Sequence, residues 1–193
     1  MPVSEADVLS PELAAYSARF RENREIADRI AGGLTISRFN WRPAPDRWSV
    51  AQCLVHLNVS AELYAARMEA AIRRGRDDGL LGSGHFEYGA FSRWMLRAVD
   101  PANRHKSRSP AKFVPSPAET CRPAEVLGNF HAAGTRWEEL LRGADGLHLA
   151  RIKVRSPAVP LVSFSLGALF AIQAAHERRH LLQAEDVLAL QAR

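Results

Sequence analysis

Apolar residues recur every three or four positions in four long segments of the chain, and this spacing predicts four amphipathic helices. The first begins at Ser10-Pro11, a preferred N-cap followed by the residue favoured at the first helical position, and it ends at Gly32-Gly33. Its apolar stripe comprises Leu13, Tyr16, Phe20, Ala27 and Ile30. We expect this stripe to face the interior of a bundle.

The other three helices have predicted bounds of 49 to about 75, 123 to about 143, and about 165 to 190. In the second helix, Ser49 is an N-cap, and Gln52 stands three residues later, where it can complete a capping box. No segment shows the polar and apolar alternation that indicates a strand. The sequence therefore predicts an all-α protein, a four-helix bundle that forms one domain over residues 1–193.

The connection between the second and third helices, residues 76–122, is far longer than the loop of a helical hairpin. It contains a short helical pattern, FEYGAFSRWMLRAV. Such a length permits a crossover that leaves the second and third helices parallel. The segment 80–115, with its glycines and basic end, is predicted to form a mobile rim that admits an anionic small molecule.

Composition places the chain among ordinary soluble globular proteins, because 47% of its residues are hydrophobic and 24% are charged. Its two cysteines, Cys53 and Cys121, are too few for a disulfide framework, so a reducing cytoplasm is the expected compartment. The amino terminus, MPVSEADVLS, has no long apolar run and is not expected to be a secretion signal.

Two features indicate that neither a membrane nor a nucleic acid is a partner. Residues 156–175 carry no charge, but Pro157 and Pro160 interrupt the segment, which favours a buried helix start over a membrane span. The formal net charge is +5, and the one dense basic run, 104–109, lacks interleaved aromatic residues. A solvated loop is therefore the favoured interpretation of this run.

The fourth helix carries His176 and His180, which are four residues apart and therefore lie on one face. Two inward imidazoles either bind a metal or must each find a hydrogen-bond partner, and the spacing alone leaves both interpretations open. A metal site in a bundle needs a third ligand from a facing helix. His56 is the first candidate because its helical stripe is apolar, and a hydrogen-bonded core histidine is the alternative.

The remaining histidines are weaker candidates. His131 lies at the edge of the apolar stripe of the third helix, and His85 could reach the site only if its glycine-rich segment folds over it. His105 and His148 are predicted to be exposed loop residues.

The segment HERRH at 176–180 fits H-E-x-x-H, the signature of a zinc peptidase. Gln183 and Asp186, however, occupy the glycine and third-ligand positions of the extended motif. Glu177 is rotated by about 100° from the histidine face, and we expect it to face solvent beside two arginines. A peptidase is therefore disfavoured.

Two stretches, NWRPAPDRWSVAQCLVHL and FSLGALFAIQAAHERRHLLQAE, resemble the second and last helices of the DinB-like family, which includes YfiT-like hydrolases. The resemblance implies an up-down-down-up bundle. It also implies a divalent metal ion, with zinc and nickel foremost, bound by His56, His176 and His180. Family members are often homodimers, and some transfer low-molecular-weight thiols, so a small-molecule substrate such as a thiol is expected.

Three neutral imidazoles leave at least one coordination position for water or substrate, which favours an enzyme. The competing hypothesis is a non-catalytic binding or stress-response protein that depends on the same metal. Against an enzyme, the sequence identifies no general acid or base near the site, and His131, Glu138 and Gln173 are only candidates. Cys53, one turn before His56, could reach the site, although a small buried hydrophobic residue is the favoured interpretation.

Overall fold

The computed structural model describes residues 9–103, 109–116, 120–159 and 161–192. The long helices are α1 (Pro11–Ala31), α3 (Val50–Asp77), α5 (Pro123–Ala144) and α6 (Leu166–Gln191), and the short ones are α2 (Ile36–Asn40) and α4 (Ala90–Val99). The four predicted helices are therefore confirmed, as is the short helical pattern of the crossover. Most of the basic run 104–109, together with His105, lies outside the described residues.

The start of α3 shows how local sequence sets the position of a helix. The Ser49 hydroxyl accepts a hydrogen bond from the Gln52 backbone N–H, and the Gln52 side chain accepts one from the Ser49 N–H, both at 3.1 Å. This is the predicted capping box, and it satisfies two donors that a helix start would leave unpaired. The box fixes where α3 begins and hence which face of the helix carries His56.

Two short strands form a hairpin that the sequence did not reveal. β1 (Lys153–Arg155) pairs antiparallel with β2 (Ser163–Ser165). No alternation marks these strands in the sequence, because three residues are too few to display it. Val154 and Phe164 face each other in the register, and both are buried. The hairpin leads directly into α6.

Contacts between the helices give their relative directions. Near the start of α3, the Asn58 amide donates to the Val126 carbonyl of α5 at 3.0 Å, and near its end Arg76 donates to the Gly143 carbonyl at 2.7 Å. These two helices therefore run parallel, as the long crossover permits. α6 packs on both α1 and α3, and α5 packs on the same two helices.

Two apolar clusters fill the interior. One contains Phe20 and Trp137, whose rings stack with centroids 5.2 Å apart, and the other contains Leu54 and Leu181. The boundary between the two clusters lies at about residues 56–61 of α3 and at about residues 174–181 of α6. The predicted histidine ligands fall within or next to these stretches, so they form a polar layer between two apolar ones.

The helical part of the uncharged stretch 156–175 is a buried helix start, as predicted. Residues 166–174 of α6 are all buried. No helix within the described ranges is both long and apolar enough to cross a membrane.

Candidate metal centre

The structure brings together the three histidines that the sequence singled out. His56 of α3 and His176 and His180 of α6 each present a ring nitrogen, and these atoms lie within 4.8 Å of one another. The Nε2 atoms of His56 and His176 are 3.1 Å apart. Two imidazoles bound to one tetrahedral ion at 2.0–2.1 Å would place their nitrogens about 3.4 Å apart. The His56 and His176 pair therefore fits a shared ion, and the His180 nitrogen lies within 4.8 Å of both.

Hydrogen bonds on the far side of two rings favour the ligand form of each imidazole. His56 Nδ1 lies 2.7 Å from the Phe113 carbonyl oxygen, and His180 Nδ1 lies 3.0 Å from Gln183 Oε1. A carbonyl oxygen only accepts, so each Nδ1 carries the proton and donates it. Each Nε2 then keeps a lone pair that faces the cluster, as in metal sites where an outer hydrogen bond fixes the tautomer.

Electrostatics keep the three rings neutral near pH 7. Burial lowers the pKa of His56, whose residue is 3% exposed. Burial, followed by the electrostatic effects of His56 and Arg179, lowers the pKa of His176 to about 3. Burial and the two other histidines also lower the pKa of His180. Neutral imidazole is the form that binds a metal, so no proton has to leave at neutral pH.

An aromatic side chain that sequence reasoning missed completes the cluster. The Trp48 ring stacks on His180 with centroids 5.6 Å apart, and it lies 4.9 Å from the ring of His56 at a tilt of 51°. Trp48 directly precedes the Ser49 cap, so the start of α3 also places this ring. Its signal was present in the sequence, since Trp48 belongs to the stretch that resembles the second helix of the DinB-like family.

Glu177 is buried rather than solvent-facing, and the prediction for it was wrong. The residue is 5% exposed, and its two carboxylate oxygens accept hydrogen bonds from Trp137 Nε1 at 2.8 Å and Asn23 Nδ2 at 3.1 Å. Because α6 is covered on several sides, a rotation of about 100° from His176 leads to another helix interface. Burial raises the pKa of Glu177 to about 7. Both oxygens are occupied away from the histidines, which argues further against a peptidase.

The other candidates for acid or base chemistry lie outside the cluster or are already paired. His131 is exposed and bonds to Asp28 at 2.8 Å, while both Glu138 oxygens accept from the Ser17 hydroxyl at 2.9 Å. Gln173 is buried one turn before His176, and its Oε1 accepts from the Ser60 hydroxyl at 3.3 Å. Of the three candidates, Gln173 alone lies on the inward face next to the ligands.

The remaining histidines and Cys53 stay outside the cluster. His85 is exposed. The prediction that His148 is exposed was wrong: its ring lies 4.9 Å from that of Phe86, and its backbone N–H donates to the Leu80 carbonyl at 2.8 Å. The loop after α5 is thus covered by the start of the crossover. Cys53 is fully buried among apolar residues, which raises its pKa to about 12, as fits a small hydrophobic residue.

Two cavities of small-molecule size lie apart from the histidines. A groove of about 630 Å³ between α3 and α5 is bounded by Glu62 and Arg136. A space of about 870 Å³ beside the start of α1 is bounded by Tyr16 and Tyr88. None of the three histidines lines either cavity.

Fold and cluster together define a helical-bundle protein with a candidate three-histidine metal centre. Residues 19–184 match the family model of the DinB superfamily, and the chain belongs to this superfamily.

YfiT from Bacillus subtilis, described as a probable metal-dependent hydrolase with an unusual four-helix bundle topology, has a similar solved structure. The TM-score is 0.63 at 14% sequence identity, and the match covers 100% of this chain and 93% of the YfiT chain. No curated protein is a significant match to the chain.

Proposed function

We propose that this protein is an enzyme in which His56, His176 and His180 hold one divalent metal ion, with zinc and nickel foremost, to act on a small molecule. The observation that carries the proposal is the convergence of three neutral imidazole nitrogens within 4.8 Å, two of them supported by outer hydrogen bonds. Structural zinc sites normally have four protein ligands. A three-histidine site fits a catalytic role because it leaves a position for water or substrate.

A divalent ion in such a site can lower the pKa of water to about 7 or hold a thiol as its thiolate. The chain supplies the surroundings of that chemistry. Trp48 packs against His56 and His180 and restricts water on that side of the cluster. Gln173 and Ser60, buried one turn away from the ligands, offer uncharged hydrogen-bonding groups.

The described side chains next to the cluster favour activation of a nucleophile by the ion over a side-chain general base. The carboxylate closest along the chain, Glu177, has both oxygens bonded to Asn23 and Trp137. His131 pairs with Asp28 at the surface. The reaction classes that need only an activated nucleophile are hydrolysis and thiol transfer.

Hydrolysis and thiol transfer each have one line of support. The description of YfiT as a probable metal-dependent hydrolase supports hydrolysis of a small molecule. The resemblance to family members that transfer low-molecular-weight thiols supports transfer to a small electrophile. We propose both as one class, an ion-activated nucleophile that attacks an electrophilic substrate.

The experiment that tests the proposal incubates zinc-loaded and nickel-loaded protein with ester, amide and electrophile substrates, with and without a panel of thiols. Turnover that requires metal and is lost in His180→Ala supports the enzyme. Dependence on a thiol selects transfer, and turnover without a thiol selects hydrolysis. Thiol binding by the loaded protein with no turnover of any substrate would contradict the enzyme.

A non-catalytic metal-dependent binding or stress-response protein is the second candidate. The observation in its favour is that none of the three histidines lines either described cavity. His176 and His180 are half-buried, so solvent reaches the cluster, but the cluster lies outside both of these cavities.

We also propose that the protein works in the cytoplasm. The chain has two cysteines, Cys53 and Cys121, too few for a disulfide framework, and this suits a reducing cytoplasm. We propose a homodimer in solution, which light scattering of the purified protein tests directly: a molar mass of one chain would contradict it.

A further inference from the structure

One of the outer hydrogen bonds joins the candidate metal centre to the crossover. Phe113 closes a single 3₁₀ turn, Ala111–Phe113, near the end of the segment 80–115. The turn is held by bonds from the Phe113 N–H to the Pro110 carbonyl and from the Val114 N–H to the Ala111 carbonyl. The crossover thus contacts His56 through the main chain of Phe113, whose carbonyl oxygen lies 2.7 Å from His56 Nδ1.

The Phe113 side chain anchors this contact. Phe113 is 3% exposed, and its ring lies 6.3 Å from that of His56 and 6.4 Å from that of Tyr64, between centroids. The next residue, Val114, is 46% exposed. The ring is therefore the part of the turn that fixes its position on α3.

We propose that Phe113 is a positioning residue whose ring holds its carbonyl against His56 Nδ1, and that bound metal in turn orders residues 109–116. This inference rests on the proposed metal centre, and it adds a physical coupling between that centre and the crossover.

The coupling follows from the two nitrogens of one ring. With Nδ1 donating to Phe113, His56 is held in the tautomer whose Nε2 has a lone pair. A cation on Nε2 withdraws electron density from the ring and makes the Nδ1–H a stronger donor. Because linkage is reciprocal, the free energy that the carbonyl adds to metal binding is the same free energy that metal adds to holding the turn.

A second contact ties an earlier part of the crossover to the other ligand helix. Arg179, the neighbour of His180, donates from Nη1 to the Ala98 carbonyl at 3.0 Å and to the Asn103 carbonyl at 2.6 Å. These carbonyls lie at and just beyond the end of α4, where a cation interacts favourably with the helix dipole. The crossover is therefore attached next to ligands on both α3 and α6.

The affinity test compares three variants with the wild-type protein by competition for Zn²⁺ with a chromophoric chelator. Phe113→Ala should weaken binding about 10- to 100-fold, the usual effect of removing an outer partner of a metal ligand. Phe113→Leu retains an apolar anchor and should restore most of the affinity. Val114→Ala, next to it in the same turn, serves as the control and should bind as the wild type does.

Two further measurements report on the coupling itself. Adding Zn²⁺ to the wild-type protein should slow amide hydrogen exchange within 109–116, and this slowing should be absent in Phe113→Ala. In protein with ¹⁵N-labelled histidine, the His56 Nδ1–H signal of the zinc-loaded form should persist in Phe113→Leu and be lost to solvent exchange in Phe113→Ala. If Phe113→Ala does not fold, the Phe113→Leu signal and the wild-type exchange data decide the matter.

The outcomes separate this inference from the proposed metal centre. If the wild-type protein binds Zn²⁺ while exchange within 109–116 is the same with and without the ion, the coupling is overturned and the centre stands. Unchanged affinity in folded Phe113→Ala leads to the same conclusion. If the wild-type protein binds neither Zn²⁺ nor Ni²⁺, the centre itself is refuted, and the inference falls with it.

Discussion

Replacing Glu177 with Gln should change how the stability of this protein depends on pH. In the folded protein, burial raises the pKa of this carboxyl from 4.5 to about 7. The folded state therefore binds a proton more tightly than the unfolded state. The stabilisation that comes from protonated Glu177 is fully present below about pH 4.5 and is lost as pH rises through 7. Gln cannot titrate, so this part of the pH dependence should vanish in the variant.

The rise in pKa from 4.5 to about 7 corresponds to roughly 3 kcal/mol in the free energy of unfolding. Between pH 5 and pH 8, the stability of Glu177→Gln relative to the wild type should rise by about 2–3 kcal/mol. The variant should also be less stable than the wild type by an amount that is the same at every pH. Asn23 and Trp137 both donate to the carboxylate, and a Gln side chain has one oxygen to accept them. Because this amount does not depend on pH, it does not affect the comparison.

Urea unfolding at intervals from pH 5 to pH 8, in the presence of a chelator, measures this difference. The metal-free form is required because a bound ion near Glu177 would favour the carboxylate. The histidines titrate in both proteins, so their contribution cancels in the difference. The exposed Glu62→Gln controls for the loss of one negative charge. A stability difference that stays constant across this pH range would refute the account of Glu177 as a buried, partly protonated group.

Other predictions concern the surroundings of the site. Gln183→Leu should weaken zinc binding about 10- to 100-fold in a chelator competition, because it removes the acceptor for His180 Nδ1. Adding Ni²⁺ should quench the fluorescence of Trp48, because its ring lies against His56 and His180. Total tryptophan quenching by Ni²⁺ should therefore be smaller in Trp48→Phe. Ser49→Ala should cost about 1 kcal/mol of stability in urea unfolding through loss of the cap. Limited proteolysis should cut first within the crossover, and cleavage confined to the long helices would contradict this prediction.

The main elements of the fold were predictable because they depend on local signals. Helical periodicity with a cap at Ser49 located the start of α3, and four-residue spacing placed His176 and His180 on one face. His56 was predicted as the third ligand from its apolar stripe and the family resemblance, and the structure places it beside both.

Features that depend on the arrangement of helices were not predictable. Glu177 was expected to face solvent because the sequence does not show that α6 is covered on several sides. The acceptor for His56 is a main-chain carbonyl 57 residues away, and every residue carries such a group, so no side-chain pattern indicates it. The two three-residue strands pair across a loop and have no periodicity of their own.

Metal content shows whether His56, His176 and His180 bind an ion together. Elemental analysis should find about one divalent ion per chain in the wild-type protein purified without chelator and loaded with Zn²⁺. His56→Ala, His176→Ala and His180→Ala should each lose at least most of it, while the exposed His131→Ala should retain it. Stoichiometric metal in all three ligand variants, or none in the wild-type protein, would contradict the account.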